Sequence, residues 1–465
     1  MMLRFKEFLR ERTLSGREKA KKEEIVLALK KKHPDWEKSK IYAIATATAK
    51  KAINEDYVFL AEAKNLHMEH LEDEIFNNGI DGAKGALRFM DGLLGMLKGD
   101  ADRAVDITVK FDGAPAIFAG IDPDDGQFFV GTKGVFNANP KLVKSESDVN
   151  LHFSGGLADK VRIAYNELKD VGISGVLQGD IMFTKSDLSE TTIDGEQYII
   201  FQPNTIVYAV PSTSELARKI EQANIGIVFH TTYKGTTLAD MDASFGANIE
   251  SLGQKSTLWI SNADYDDMSG TIAFTADERN QAQKLFIDCE SSLERIDTRE
   301  FDLIMDAQKL LPSSVVGAKI KTYINSLIRG GSFIVDPERA ALSYIDYISA
   351  YYDDKVLPKL KTDKGRNGKI LERDTLIRSM SLNMRTFTSI FEHVKHVYDL
   401  KLLIIRKLDM GAKRFPGTFI KTENGYKVTN DEGYVAIDKI NGSAVKLVDR
   451  LEFSYNNFTG VKNWN

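Results

Sequence analysis

The chain has 465 residues, 43% of them hydrophobic, and a net charge of −5. That length accommodates roughly three domains and a sizeable core, and the acidic balance excludes a protein that coats nucleic acid through bulk positive charge. The single cysteine, Cys289, excludes an internal disulfide and a cysteine-rich zinc site and points to a reducing, cytoplasmic compartment.

Residues 1–52 carry 15 Lys/Arg against 7 Asp/Glu and read as helices broken at Pro34. They belong to a basic helical module, 1–60, that suits contact with phosphates; a solvated Lys/Glu-rich helix is the plainer alternative. The longest small-apolar run, "IYAIATATA", is far short of the ~20 residues that span a bilayer, so no membrane partner is expected. In "HMEHLEDE", His67 and His70 lie three apart beside Glu69, Glu72 and Asp73. Helical zinc pairs sit four apart with a third ligand, so this cluster reads as a buttress or a charged helix face. Gly79 and Gly82 flank a turn. After it, Ala83, Leu87, Met90, Leu94 and Leu97 recur at helical spacing.

At Val105 the period changes. "VDITVKF", "APAIFAGI" and "GQFFVGTK" read as an antiparallel meander, with the turn "DPDDG" between the last two. A helix follows at 158–172, then a strand at 175–183. Two strands divided at Pro203-Asn204 come next, then a helix at 214–224 and a strand at 225–233. From about 275 to 410 the chain is helical, with His393 and His396 beside Glu392 reading as non-metal residues. Strands then return as "GTFIKT", "GYKVT", "GYVAIDK" and "AVKLVDRLEF", the last two joined by the hairpin signal Asn441-Gly442. The pattern is a β-rich body, 61–240, interrupted by a mainly helical insertion, 241–411, and completed by final strands in 412–465.

The chemistry sits on the strands. Lys110-Phe111-Asp112-Gly113 ends the first strand run, and Gly179-Asp180 lies in a later one. Phe229-His230 lies in a third, and Glu432-Gly433-Tyr434-Val435 precedes a terminal strand bearing Lys446. In this order the motifs resemble the covalent nucleotidyltransferase superfamily of ATP-dependent DNA and RNA ligases and mRNA capping enzymes, with phage RNA-ligase-like proteins the nearest in appearance. The resemblance covers 105–235 and 412–455. It implies an α+β fold with two antiparallel sheets enclosing an ATP cleft. It also implies catalytic roles for Lys110 and Lys446 and nucleotide contacts from Asp112, Gly113, Lys133, Asp180 and Phe229. Glu432 and Asp180 would hold Mg²⁺ or Mn²⁺. Physical chemistry agrees with the assignment: a lysine attacks phosphorus only as the neutral amine, and burial, neighbouring cations and a bound metal favour that form.

The implied activity is polynucleotide ligation, on RNA ahead of DNA, through a lysyl-AMP on Lys110. The AMP passes to a 5′-phosphate end, and a 3′-hydroxyl displaces it. The amino-terminal module resembles pieces of tailed-bacteriophage proteins, which would place the chain in a host cytoplasm. It also implies a phage protein partner on that module or on the helical insertion. Two departures keep alternatives open: Pro115 stands where the family has an arginine, and Val448 replaces a second lysine after Lys446. The alternatives are a catalytically idle module binding nucleic acid or virion proteins, and a nucleotidyltransferase with a different acceptor.

Overall fold

The computed structural model describes residues 70–98, 105–137, 139–265, 273–311, 317–411, 415–422, 425–438 and 444–454. They fall in one compact unit, Glu62–Asn465. The amino-terminal unit, Met1–Ala61, lies outside the described residues, as do His67 and the Asn441-Gly442 turn.

The first helix, α1 (Glu74–Leu97), buries the predicted stripe of Ala83, Leu87, Met90, Leu94 and Leu97. The turn expected between Gly79 and Gly82 is a kink at Gly79 alone, whose φ of 67° and ψ of −154° favour a residue without Cβ. After it come β1 (Val105–Lys110), β2 (Ala116–Ile121), β3 (Phe128–Gly131), α2 (Glu146–His152), α3 (Gly155–Leu168), β4 (Val176–Thr184), β5 (Ser189–Ile193) and β6 (Glu196–Phe201). Then follow β7 (Ile206–Pro211), α4 (Glu215–Gln222), β8 (Ile225–Lys234), β9 (Asp242–Phe245) and β10 (Leu258–Asn262).

The fold is α+β, but its strands form three sheets rather than two. A six-stranded sheet runs β10-β8-β4-β2-β3 with β9 against β8. Its β8–β10 pair is parallel, where only antiparallel pairing was expected. The final strands, β11 (Gly417–Thr422), β12 (Gly425–Val428), β13 (Gly433–Asp438) and β14 (Ala444–Leu447), return to the body. The hairpin β11–β12 extends a five-stranded sheet, β12-β11-β7-β6-β5, and β13–β14 joins β1 in a three-stranded sheet.

This last pairing corrects the predicted meander. The hairpin β2–β3 forms, but β1 leaves it and pairs with β13. Residues between Lys110 and Ala116 carry the chain from one sheet to another. Ala114 N–H donates to the Ile181 carbonyl at 3.0 Å, and Ile181 N–H donates to the Pro115 carbonyl at 3.1 Å. Alternation of side chains identifies a strand, but it does not choose the partner.

The helical block is α5 (Ala276–Glu294), α6 (Thr298–Gln308), α7 (Ala318–Arg329), α8 (Pro337–Tyr351), α9 (Asp363–Leu382) and α10 (Met384–Leu408). It begins later than the predicted position 241, because β9 and β10 still belong to the six-stranded sheet. It also has no core of its own. Buried residues of α10, including Val394, Leu400 and Ile404, share one apolar cluster with Met90 of α1, Val109 of β1 and Leu447 of β14. A second cluster lies under α3, where Val161 and Leu168 meet Ile117, Ile181 and Phe229 of the six-stranded sheet. No helix among the described residues is long and apolar enough to cross a membrane.

Candidate functional site

Lys110 ends β1 directly opposite Gly433, the first residue of β13. Gly433 has a φ of 146°, and a Cβ there would stand 2.2 Å from the Leu447 carbonyl oxygen. Glycine is therefore required where the chain enters β13, and Glu432 is the residue just before it. The Glu432 carboxylate closes onto Lys110 Nζ in an ion pair. The two residues named from distant strands thus meet.

Asp112 is fastened to the start of β7. Its carboxylate accepts the N–H of Thr205 at 2.6 Å, the N–H of Ile206 at 2.8 Å and the Asn204 side-chain amide at 2.7 Å. Its own N–H donates to the Tyr208 hydroxyl at 2.8 Å. These bonds hold a 4% exposed carboxyl in place and make Asp112 a brace for the loop after Lys110, not the nucleotide contact implied by the resemblance. Burial raises its pKa against the pull of the hydrogen bonds. Asp112→Ala strands three donors, two of them buried backbone N–H groups. It should lower unfolding free energy by at least about 3 kcal/mol in urea titration; a loss below about 1 kcal/mol would remove the brace role.

Gly113 lets the loop pack on β4: a Cβ there would meet the Asp180 Cβ at 2.5 Å. Asp180 stands beside this glycine, opposite Ala116. Its Oδ2 lies 3.6 Å from His230 Nε2, while His230 Nδ1 is 2.8 Å from the Thr231 hydroxyl. The expected base-stacking residue of that strand, Phe229, is misplaced for the task. It is fully buried in the core beneath the sheet. Gly179 pairs with Phe229 but Gln178 pairs with Thr231, so His230 is the extra residue of a β-bulge, which brings its ring beside Asp180 while Phe229 stays in the core. His230 is the residue that sequence reasoning passed over, because the bulge interrupts the period of two there.

Lys446 of β14 pairs with Val435, which pairs with Thr108 of β1. The register puts Lys446 and Lys110 on one face of the three-stranded sheet, two strand spacings or about 10 Å apart across the sheet. Lys133 is exposed, two residues beyond β3, at the end of the six-stranded sheet where Ala116 and Asp180 lie.

The charges are unevenly balanced. Burial favours a neutral amine at Lys110, but Glu432, by charge and hydrogen bond, with Asp180 and Asp112 behind it, pushes the pKa above its ordinary value. Burial raises Glu432 to about 7 despite Lys110. It raises Asp180 to about 7 as well, with Lys110 opposing and Asp112 adding. His230 falls to about 4, through burial and then the Lys110 charge, and is neutral at physiological pH. On the α10 side of Glu432 a cleft of ≈ 140 Å³ is lined by Asp409, Asp431, Asp449 and Glu452 with Arg406. Its acidic lining disfavours a polyphosphate there.

Behind the site lies a buried ionic cluster. Lys401 Nζ of α10 is 2.7 and 2.8 Å from the two carboxylate oxygens of Glu72. Arg450 reaches Asp73 at 3.0 Å and the Asn325 amide oxygen of α7 at 2.8 Å. His70, next to this cluster, forms a backbone bridge with Lys446. Glu72 and Asp73 therefore buttress the Lys446 strand and are not an exposed charged face. His393 is buried in the helical block, its Nδ1 3.1 Å from the Cys289 carbonyl. Among the described residues no group of three or more His, Cys, Asp or Glu is arranged to hold a metal.

The chain belongs to a family of unknown function (DUF6267), which matches residues 65–462. No curated protein and no solved structure matches it.

Proposed function

We propose that this member of a family of unknown function is a nucleotidyltransferase that takes AMP from ATP onto Lys110 and delivers it to a polynucleotide 5′-phosphate end, of RNA ahead of DNA, for sealing. The observation that carries the reading is the meeting of Lys110 and Glu432, with Asp180 beside them and Lys446 on the same sheet face. A structural strand pair needs no such gathering of ionisable groups, and perturbed carboxyls in one place are a mark of functional sites.

Lys110 Nζ loses its proton and attacks the α-phosphorus. The P–N bond forms, the bond to the bridging oxygen breaks, and pyrophosphate leaves. An oxygen of the 5′-phosphate then takes the AMP and breaks the P–N bond. A 3′-hydroxyl finally forms the phosphodiester and expels AMP. Glu432 holds the proton on the resting amine and so keeps the nucleophile masked. Lys446, a fixed cation facing the same way, suits charge developing on the α-phosphate. Glu432 and Asp180 would hold a divalent cation: both are carboxylate oxygen donors facing Lys110, and magnesium takes one or two carboxylates plus substrate oxygens. Such a cation would compete with Lys110 for the Glu432 carboxylate and so would favour the neutral amine.

Incubation with α-labelled ATP and Mg²⁺, followed by denaturation, should leave acid-labile label on the protein. No label with ATP or GTP anywhere between pH 6 and 9 sinks the proposal. The rate should rise with pH through about 7, as Glu432 and Asp180 ionise and become able to hold the divalent cation of the substrate nucleotide. Stability should move the opposite way. Both carboxyls have folded pKa values near 7, above their reference values of 4.5 and 3.8. They bind more protons folded than unfolded in that window, so their stabilising contribution is present below about pH 4 and is lost as pH rises through about 7.

A further inference from the structure

Residues 355–369 concentrate six cations, Lys355, Lys359, Lys361, Lys364, Arg366 and Lys369, against one carboxylate, Asp363, in a chain whose net charge is −5. The run leaves the end of α8 and enters α9. The first five cations are exposed, and among the described residues their side chains make no hydrogen bond or ion pair; Lys369 is neutralised by Glu372 at 2.6 Å. Of the two aspartates just upstream, Asp353 is held by Arg373 at 2.8 Å. Lys364 and Arg366 stand in the first turn of α9, where the helix's own field is already positive. The fold gains nothing from this crowding of like charge.

One glycine of the run points the same way. Gly368 lies inside α9, where glycine weakens a helix, yet a Cβ there would meet no atom within 4 Å. Packing does not demand this glycine, and its bare backbone leaves room for close approach of another molecule. The apolar residues between the cations, Val356, Leu357 and Leu360, are half-buried, and Val356 packs on the core. The outward surface of 355–369 is therefore mainly charged, and one large apolar side chain, Leu371, stands exposed just beyond it, which is less than the apolar face that enters a bilayer.

We propose that this surface at the start of α9 docks the phosphate backbone of a nucleic acid. It binds by charge and helix-terminal N–H groups, without reading bases. The inference rests on the patch alone and is independent of the chemistry at Lys110.

The test is fluorescence anisotropy of the full chain with a labelled single-stranded RNA of about 20 nucleotides, titrated across salt. The variant K359Q/K361Q/K364Q/R366Q should bind at least about tenfold more weakly at 100 mM salt. The slope of log affinity against log salt should fall by about 3, from about 0.7 per phosphate contact. A control that neutralises exposed cations elsewhere, K169Q/R218Q/K234Q, should leave both values near wild type. The reversed variant K359E/K361E/K364E/R366E, which adds repulsion, guards against a small effect of neutralisation. Unchanged affinity and slope in both patch variants overturn the proposal. So does loss of phosphatidylserine-vesicle binding, with RNA binding intact. Lys110 labelling is read in the same samples: loss of RNA binding with labelling intact supports the patch, and absence of labelling in the wild type removes the nucleotidyltransferase reading while leaving the patch standing.

Discussion

Lys110→Ala should lose all acid-labile nucleotide label while the protein stays folded. The Lys110 amine is the proposed acceptor of the P–N bond, so the loss should reach the detection limit rather than a fraction. Lys110→Arg makes the test sharper. A guanidinium keeps a positive charge against Glu432 but does not deprotonate in proteins, so it preserves the ion pair and removes the nucleophile. Arginine should therefore match alanine in activity and match wild type in thermal midpoint. Alanine leaves the Glu432 carboxyl without its cation, and Glu432 answers by protonating. Its stability deficit should thus be small at pH 5.5 and larger at pH 8, above the Glu432 pKa of about 7. Residual label in either variant, on whichever residue, would show that Lys110 is not the acceptor.

Glu72→Ala is expected to be the most destabilising single change in the molecule. Lys401 Nζ is completely buried and has Glu72 as its charge partner. Burial pulls Lys401 below its ordinary pKa. Burial also works against charge on Glu72, but Lys401 and Arg450 outweigh it and hold that carboxyl low. Removing the carboxylate leaves an uncompensated ammonium in the core, a loss of about 3–5 kcal/mol. That is a large part of the 5–15 kcal/mol typical of a whole domain. Replacing both partners, as Glu72→Leu with Lys401→Met, should recover most of the loss, since a well-packed apolar pair substitutes for a buried ion pair. Urea titrations of the three proteins give the comparison; a single-variant loss below about 1 kcal/mol would mean the cluster is not buried as described. Because His70, beside Glu72, bridges to Lys446, milder variants here should also slow labelling without touching the reacting groups.

The comparison of sequence with structure turns on a few residues. Strand identity was legible wherever β-branched and aromatic residues alternated, and each run named between Val105 and Tyr233 is a strand. The stripe on α1 was legible for the same reason, because helical spacing leaves one solution for burying Met90 and Leu94. The separation of Lys110 from Glu432 was bridged only by a motif order. Once the sheet register is known, Gly433 explains why glycine follows that glutamate.

Asp112 and Phe229 are the instructive misses. Lys-x-Asp-Gly does not say which way the aspartate turns, and the backbone donors of Thr205 and Ile206 decide it. Phe229 and His230 are adjacent, but Phe229 is paired and buried whereas His230 is the extra residue of a β-bulge beside Asp180. Only the paired register shows that bulge.

The sequence by itself determined local conformation and the α+β class, because these depend on side-chain period and type over a few residues. The tertiary structure decided the rest: that β1 leaves its neighbours for β13, that the helical block shares one core with the strands, and that Glu72 is buried against Lys401. Each of these is a choice among partners far apart in the chain. Such choices are made by the mutual burial of apolar faces and the pairing of buried charges, and no local stretch encodes them alone.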